Sequence, residues 1–484
     1  MDNCVNSTLQ VYAPPPAGWT SAHIGHLYRS FGYGATYDQI QEGLTMTPLE
    51  LVDQLLSQAV NAPQPETPYW SSYNSEDYGE DEDNLKGQHY RETRYNWMLQ
   101  GTQYPFLQKM TIFWHDHFAT ESEVYYCNSY LWSYYALVNK HAFGNFRTFV
   151  EEMGLNEAML IYLDGNENVV DEPNENYARE LMELFTMGEN NGYTQTDIEE
   201  VAKALTGYRL YKYACNLGPE FIPERHDNSV KTIFGQTGNF GYDDVHELIF
   251  SLRKNEVATY ICTKLYQHFV YRNPEASIVE GLAATFIENN WEIVPVLRQL
   301  LASEHFYEAV FHGAKIKSPV DLVLQLVTTS GLDVNDDFDD GILQYLDYIS
   351  RQMGQDLFNP PNVAGWPGHR FWLSENALAY RWTYCQSILN NYLNDSGKEK
   401  IRALAIKASD SISDPLSIAI AMSDLLIGRQ LDQELIDVAV LHLKGGIPEN
   451  YFDDGSWNLY WEEAPDQLLN MYRFFNQLPE YQLT

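Results

Sequence analysis

Apolar residues return every three or four positions along this chain, and that period constrains its fold more than any other feature. Between residues 195 and 206, Ile198, Val201, Ala202 and Leu205 fall at i, i+3, i+4 and i+7, one face of an α-helix. Thr194 and Asp197 form a T-x-x-D start signal, and Gly207 marks the stop. The same pattern predicts helices over 48–60, 91–112, 174–187, 256–270, 318–330 and 375–391, with others spread between them. Alternation of the β type is scarce; short stretches at 208–213 and 231–234 are expected to pair as a small hairpin. The predicted class is mainly α: a large multi-helical single domain with long ordered loops and at most one small β-hairpin. It divides into an N-terminal segment, 1–19, a core helical domain, 20–390, and a C-terminal helical extension, 391–484, which begins where NDSGKEK interrupts the pattern.

Two stretches read as loops. Residues 61–84 are polar and acidic and are expected as a mobile excursion. Residues 354–372, GQDLFNPPNVAGWPGHRFW, combine Pro and Gly with Phe358, Trp366, Phe371 and Trp372. A fully solvated loop needs no such aromatics, so this one is expected to be ordered and folded back onto the core. The stretch DVNDDFDDG, Asp333 to Gly341, resembles a calcium loop only superficially. Starting at Asp333, Phe338 replaces the turn glycine and Gln344 the bidentate Glu; starting at Asp336, Phe338 replaces an oxygen ligand and Asp347 is one methylene shorter than the usual Glu, so it reads as an acidic linker.

The charge balance narrows the partners. With 67 acidic and 30 basic side chains the formal net charge is −37, which repels phosphate backbones and anionic lipid and argues against nucleic acid. No apolar run approaches the roughly 18 residues of a transmembrane segment. The N-terminus has no basic start and no hydrophobic stretch, so no signal peptide is expected. The chain reads as cytoplasmic as written, or as a processed secreted form. Cys4, Cys127, Cys215, Cys262 and Cys385 are scattered without a CxxC, against a zinc ribbon, a redox motif or a dense disulfide scaffold.

Three segments carry possible chemistry. In FWHDHFAT, 113–120, a helix begun near Pro105 puts Phe106, Met110, Phe113 and His117 on one stripe, so His117 faces inward. His115 lies about 200° round the helix from it, so the two rings grip one ion only if the helix unwinds. In DEPNENYARELMELFTMG, 171–188, Glu175, Arg179 and Glu183 stack as a surface charge ladder, while Glu180 borders the apolar face. With His117, Glu180 could ligate a divalent transition metal or form a carboxylate–histidine pair. In RHDNSVKTIFGQTGNF, 225–240, His226 and Asp227 sit in a turn with Lys231 close behind. No GxSxG, HExxH or Walker loop occurs.

Eight segments in order resemble a large bacterial family known as domain of unknown function 1800. They are HLYRSFGYGAT (26–36), FWHDHFAT, NENYARELMELFTMG (174–188), YTQTDIEEVAKALTGY (193–208), RHDNSVKTIFGQTG (225–238), KLYQHFV (264–270), IKSPVDLV (316–323) and GQDLFNPPNVAGWPG (354–368). The resemblance spans roughly residues 20–390. It implies a largely helical protein, frequent secretion signals and a sulfatase-like partner protein, and it implies no settled activity. Its motifs coincide with the polar segments above. Three readings stay open. The first is a metal-assisted enzyme, for hydrolysis or oxidation, with His117 and Glu180 as metal ligands. His115, Asp116, His226 and Asp227 would then be acid–base groups, and Arg179, Glu183, Lys231, Asn362 and Trp366 binding residues. The second is a non-catalytic helical scaffold for a partner protein, with the polar motifs as buried hydrogen-bond networks. The third is a carbohydrate-binding protein built on the 35 tyrosines and 11 tryptophans.

Overall fold

The computed structural model describes residues 7–484. It is 61% helical, and the described residues form 22 α-helices and two small two-stranded sheets, bearing out a mainly α class. Thr194 and Asp197 close the predicted capping box on the Gln195–Ala204 helix. Ser318 and Asp321 do the same for Pro319–Thr329. That helix is buried almost all round, with Val320, Leu322, Val323, Leu324, Leu326 and Val327 at 0% exposure, so the other layers wrap around it. No helix of the described residues is long and apolar enough to cross a membrane.

Several expectations need correction. The helix expected over 91–112 is two, Glu82–Gln103 and Pro105–His117. Pro105 cannot donate to a continuing ladder but suits the first turn of a new helix. The segments at 208–213 and 231–234 do not pair with each other. Tyr208–Arg209 pairs with Glu220–Phe221, and Lys231–Ile233 with Gln236–Gly238. The acidic stretch 61–84 is tethered rather than free: Tyr69–Ser72 makes a 3-10 turn that buries Trp70. The indole stacks on His89 at 4.9 Å and donates to Glu92 at 2.8 Å.

The 354–372 loop is ordered, with Phe358, Trp366 and Trp372 buried, although Phe371 is exposed. In the acidic linker Asp337 is buried against Lys400 at 2.6 Å, and Asp347, in the Ile342–Gln352 helix that follows, is taken by Arg94 at 2.7 Å. The helices after residue 391 share one continuous apolar cluster with the rest, and the chain end returns to pair Thr484 with Lys315 and Gln482 with Lys317 through the backbone. A disulfide links Cys127 to Cys215; Cys262 and Cys385 are free and buried, and Cys4 lies outside the described residues.

Candidate functional site

The end of the Pro105–His117 helix and the 354–372 loop lock together through two consecutive side chains. Phe358 N–H donates to His115 Nε2 at 3.0 Å, which makes Nε2 the bare nitrogen. Nδ1 therefore carries the hydrogen and donates to Tyr134 Oη at 2.7 Å, and that hydroxyl donates to the Phe118 carbonyl at 2.9 Å. Burial drives the His115 pKa down to about 3, so the ring stays neutral. Next to it, Asp116 Oδ1 accepts Trp366 N–H at 2.7 Å. Asn362 is exposed and makes the turn that delivers this contact: its Oδ1 accepts Ala364 N–H and its carbonyl accepts Gly365 N–H. Gly365 has φ +81°, and a Cβ there would lie 2.3 Å from Asp116 Oδ1, so only glycine allows the approach.

Asp116 and Trp366 form one wall of a cavity of about 460 Å³. Lys109 lines it from the same helix as Asp116, Lys264 and His268 from the Lys254–Phe269 helix, and Lys315 and Asp321 from the segment entering Pro319–Thr329. Arg272, His369 and Trp372 stand around them. Four cations thus face two carboxylate side chains. Burial lifts the Asp116 carboxyl to about 6, opposed by the charge of Lys264 and the bond from Trp366. The Lys264 ammonium is held below its ordinary value by burial, with Asp116 pulling the other way. Lys109 is paired with Asp321 at 2.5 Å. Lys315 donates to the main-chain carbonyl of His268, and burial with the nearby Lys109 charge brings it down to about 7.

The other predicted site residues lie elsewhere or have different partners. His117 is buried, but its Nε2 donates to the Phe185 carbonyl at 3.1 Å rather than to Glu180; its Nδ1 is buried without a partner. The cause is local. After the short Asn176–Glu180 α-helix, residues Leu181–Thr186 widen into a π-helix. The wide turn frees the carbonyls of Leu184 and Phe185, and Tyr260 Oη and His117 take them. Glu180 is half-buried, and burial and Glu183 raise its pKa. Arg179 bridges Glu175 at 2.8 Å and Glu183 at 3.4 Å, the surface ladder expected from the spacing. His226 Nδ1 donates to the Thr206 carbonyl at 2.8 Å, and Asp227 Oδ1 accepts Ser229 N–H at 2.7 Å. Lys231 is buried and donates to the Asp227 carbonyl at 2.5 Å, fixing that turn. None of these three lines the cavity. Among the described residues no group of three His, Cys, Asp or Glu could hold a metal ion.

Sequence reasoning missed Lys109, Lys264, His268, Lys315 and Arg272. A signal was available for Lys109, which sits three residues after Phe106 and four before Phe113, on the apolar stripe. Lys264 and His268 lie in KLYQHFV, a motif already singled out.

No curated protein and no solved structure matches the chain. A family model matches residues 26–483, taking in the C-terminal helices as well as the motif-bearing part. The chain belongs to the family described as a protein of unknown function, DUF1800.

Proposed function

We propose that this chain is an enzyme acting on a small molecule in the Asp116 pocket, with Asp116 as the group that gives and takes the proton. One observation carries the reading: an anchored carboxyl stands on the wall of a partly closed cavity beside a half-buried lysine. The Trp366 N–H and the Gly365 contact fix where its oxygens sit. A carboxyl near 6 is poised for acid–base exchange close to neutral pH. Hydrolysis suits it best: Asp116 takes the proton of an attacking water, and Lys264 offsets charge that develops on the substrate. Asp116→Asn keeps the shape and removes the proton acceptor, so it is expected to lower kcat about 100-fold or more, as loss of a general base does. A panel of ester, phosphate-ester and sulfate-ester substrates compared between the two proteins tests this. Equal turnover by Asp116→Asn, or no turnover of the panel by the wild type, removes the catalytic reading.

A scaffold that binds a partner, such as a sulfatase-like protein, is favoured by a different observation. Tyr126, Tyr211, Tyr213, Leu217 and Phe221 are exposed around the Tyr208–Phe221 strand pair, with Tyr126 and Tyr213 edge to face at 5.2 Å. Replacing Tyr213 and Phe221 by Ser would then abolish co-purification of a partner while leaving the Asp116 pocket intact; unchanged co-purification counts against the scaffold.

A further inference from the structure

The pocket carries a charge opposite to that of the molecule around it. A chain with 67 acidic side chains could have matched every cation there with a carboxylate. It matches Lys109 with Asp321 and sets Asp116 near Lys264, and there it stops. Among the described residues Lys315 has no carboxylate within ion-pair distance; its ammonium meets a carbonyl of the main chain. Arg272 is exposed at the rim, where among the described residues its guanidinium reaches the His369 ring, at 3.5 Å, and no carboxylate. His268 Nε2 is a buried ring nitrogen with no partner, on a residue that lines the cavity. The layer behind is cationic too: Lys317 and Arg381 are both buried, and their hydrogen bonds run to backbone carbonyls and to Gln482. Desolvating several cations without counter-charge is costly, and the cost is recovered when an anion enters.

From this we infer that the inner wall of the pocket, Lys315 and His268 with Lys109 behind them and Arg272 at the mouth, is a binding site for an oxyanion group of the substrate. The shared chemistry is a compact, doubly charged oxygen anion such as a sulfate, phosphate or paired carboxylate. This rests on the pocket being the substrate site, and it adds the substrate class. It divides the cavity into an anchoring end at Lys315 and a reacting end at Asp116 and Lys264. The side chains facing the Lys315 ammonium are Lys109, Asp321, His268 and, from the N-terminal helix Ser21–Phe31, His26. Thr484, which pairs with Lys315 through the main chain, lines the same cavity. Asp321 is the acidic side chain of this set, and it is committed to Lys109. An entering dianion would therefore raise the Lys315 pKa from about 7, and binding would take up a proton above neutral pH.

Calorimetric titration of the full chain with sodium sulfate, sodium phosphate and sodium malonate, at ionic strength fixed with chloride, tests the site and distinguishes the sources. At least one of the three is expected to bind with 1:1 stoichiometry. Its affinity should fall about tenfold or more in Lys315→Met and in the rim variant Arg272→Met, which removes an exposed side chain and leaves the core alone. In buffers of different ionisation heat at pH 8, wild type is expected to take up up to about one proton per anion, and Lys315→Met none. Failure of all three anions to bind, or equal affinity in both variants, overturns the site and marks any residual heat as adventitious binding of an ion only. Asp116→Asn should bind the anion as well as wild type or better. Anion binding with undiminished turnover by Asp116→Asn would remove the catalytic role of Asp116 and leave the oxyanion site standing.

Discussion

Gly365→Ala is expected to cost about 3–4 kcal/mol of stability, more than most single methyl additions to a protein. Two contributions combine. A φ of +81° is one that an L-residue adopts at a penalty of roughly 1–2 kcal/mol. The new methyl would also lie 2.3 Å from Asp116 Oδ1 and 2.4 Å from the Asp116 carbonyl oxygen. The side-chain oxygen can rotate away, but the carbonyl belongs to the helix and cannot. The loop must then lift, stretching the 2.7 Å bond from Trp366 N–H to Asp116, and forced overpacking of this kind costs roughly 1–3 kcal/mol. Gly341→Ala supplies the control. It too has positive φ, +91°, in the left-handed region, yet the nearest atom to its added methyl is 3.8 Å away, an ordinary contact, so it bears only the conformational penalty, roughly 1–2 kcal/mol. Urea denaturation of both variants measures the difference. If Gly365→Ala falls within about 0.5 kcal/mol of Gly341→Ala, close to the limit of such comparisons, the loop is not held against the helix as described.

That contact also shows where the sequence could be read and where it could not. Helical period placed His117 inside, separated His115 from it, and identified the Arg179 ladder and the Thr194 cap, because each depends on spacing within one element. The aromatic content of 354–372 disclosed that the loop was packed. The partners of the two histidines stayed hidden for a physical reason. His115 is held by the Phe358 N–H and His117 by the Phe185 carbonyl, and main-chain groups are the same at every residue, so no letter marks them. A carboxylate such as Glu180 is the partner that letters suggest, and the π-helical widening of Leu181–Thr186 supplied a carbonyl instead. The lysines were missed for another reason. Lys264 and Lys315 are ordinary surface residues in isolation, and the place of Lys109 on an apolar stripe says only that it faces inward. Their meaning lies in convergence on one cavity from three parts of the chain, which requires the tertiary fold. Asp116 stands out within its own segment as an acid–base candidate, but its neighbour Trp366 comes from 250 residues further on, and no spacing links the two.

Acidification from pH 7 to pH 5 is expected to destabilise the protein by several kcal/mol, and the histidines rather than the carboxylates set the sign. The His115 pKa falls from 6.5 to about 3 on folding. In the unfolded chain this ring takes up a proton as pH falls through 6.5, whereas the folded one does not until about 3. Its contribution is therefore full above 6.5 and is lost progressively below it, about 2 kcal/mol by pH 5 for this residue alone. The geometry agrees, since a hydrogen on Nε2 would point at the Phe358 N–H that it now accepts. Burial shifts His26, His117 and His268 well down in the same direction, and brings His305 and His312 to about 4. Asp116, Asp347, Asp356, Asp424 and Glu180 work against them. Their folded pKa values are raised, so they take up protons in the folded state first and gain stability as pH falls. With six histidines facing five such carboxyls, and the carboxyls' unfolded counterparts titrating only near 4, the net proton uptake on unfolding is positive between pH 6.5 and 5. Stability measured by urea denaturation should then fall by more than about 1.4 kcal/mol per pH unit over that range, the slope of a single proton. His115→Gln, which cannot titrate, should flatten the profile by about one proton. A stability that is level or rising from pH 7 to pH 5 would mean that these rings are charged or solvated in the folded protein, and the neutral His115 network would have to be abandoned.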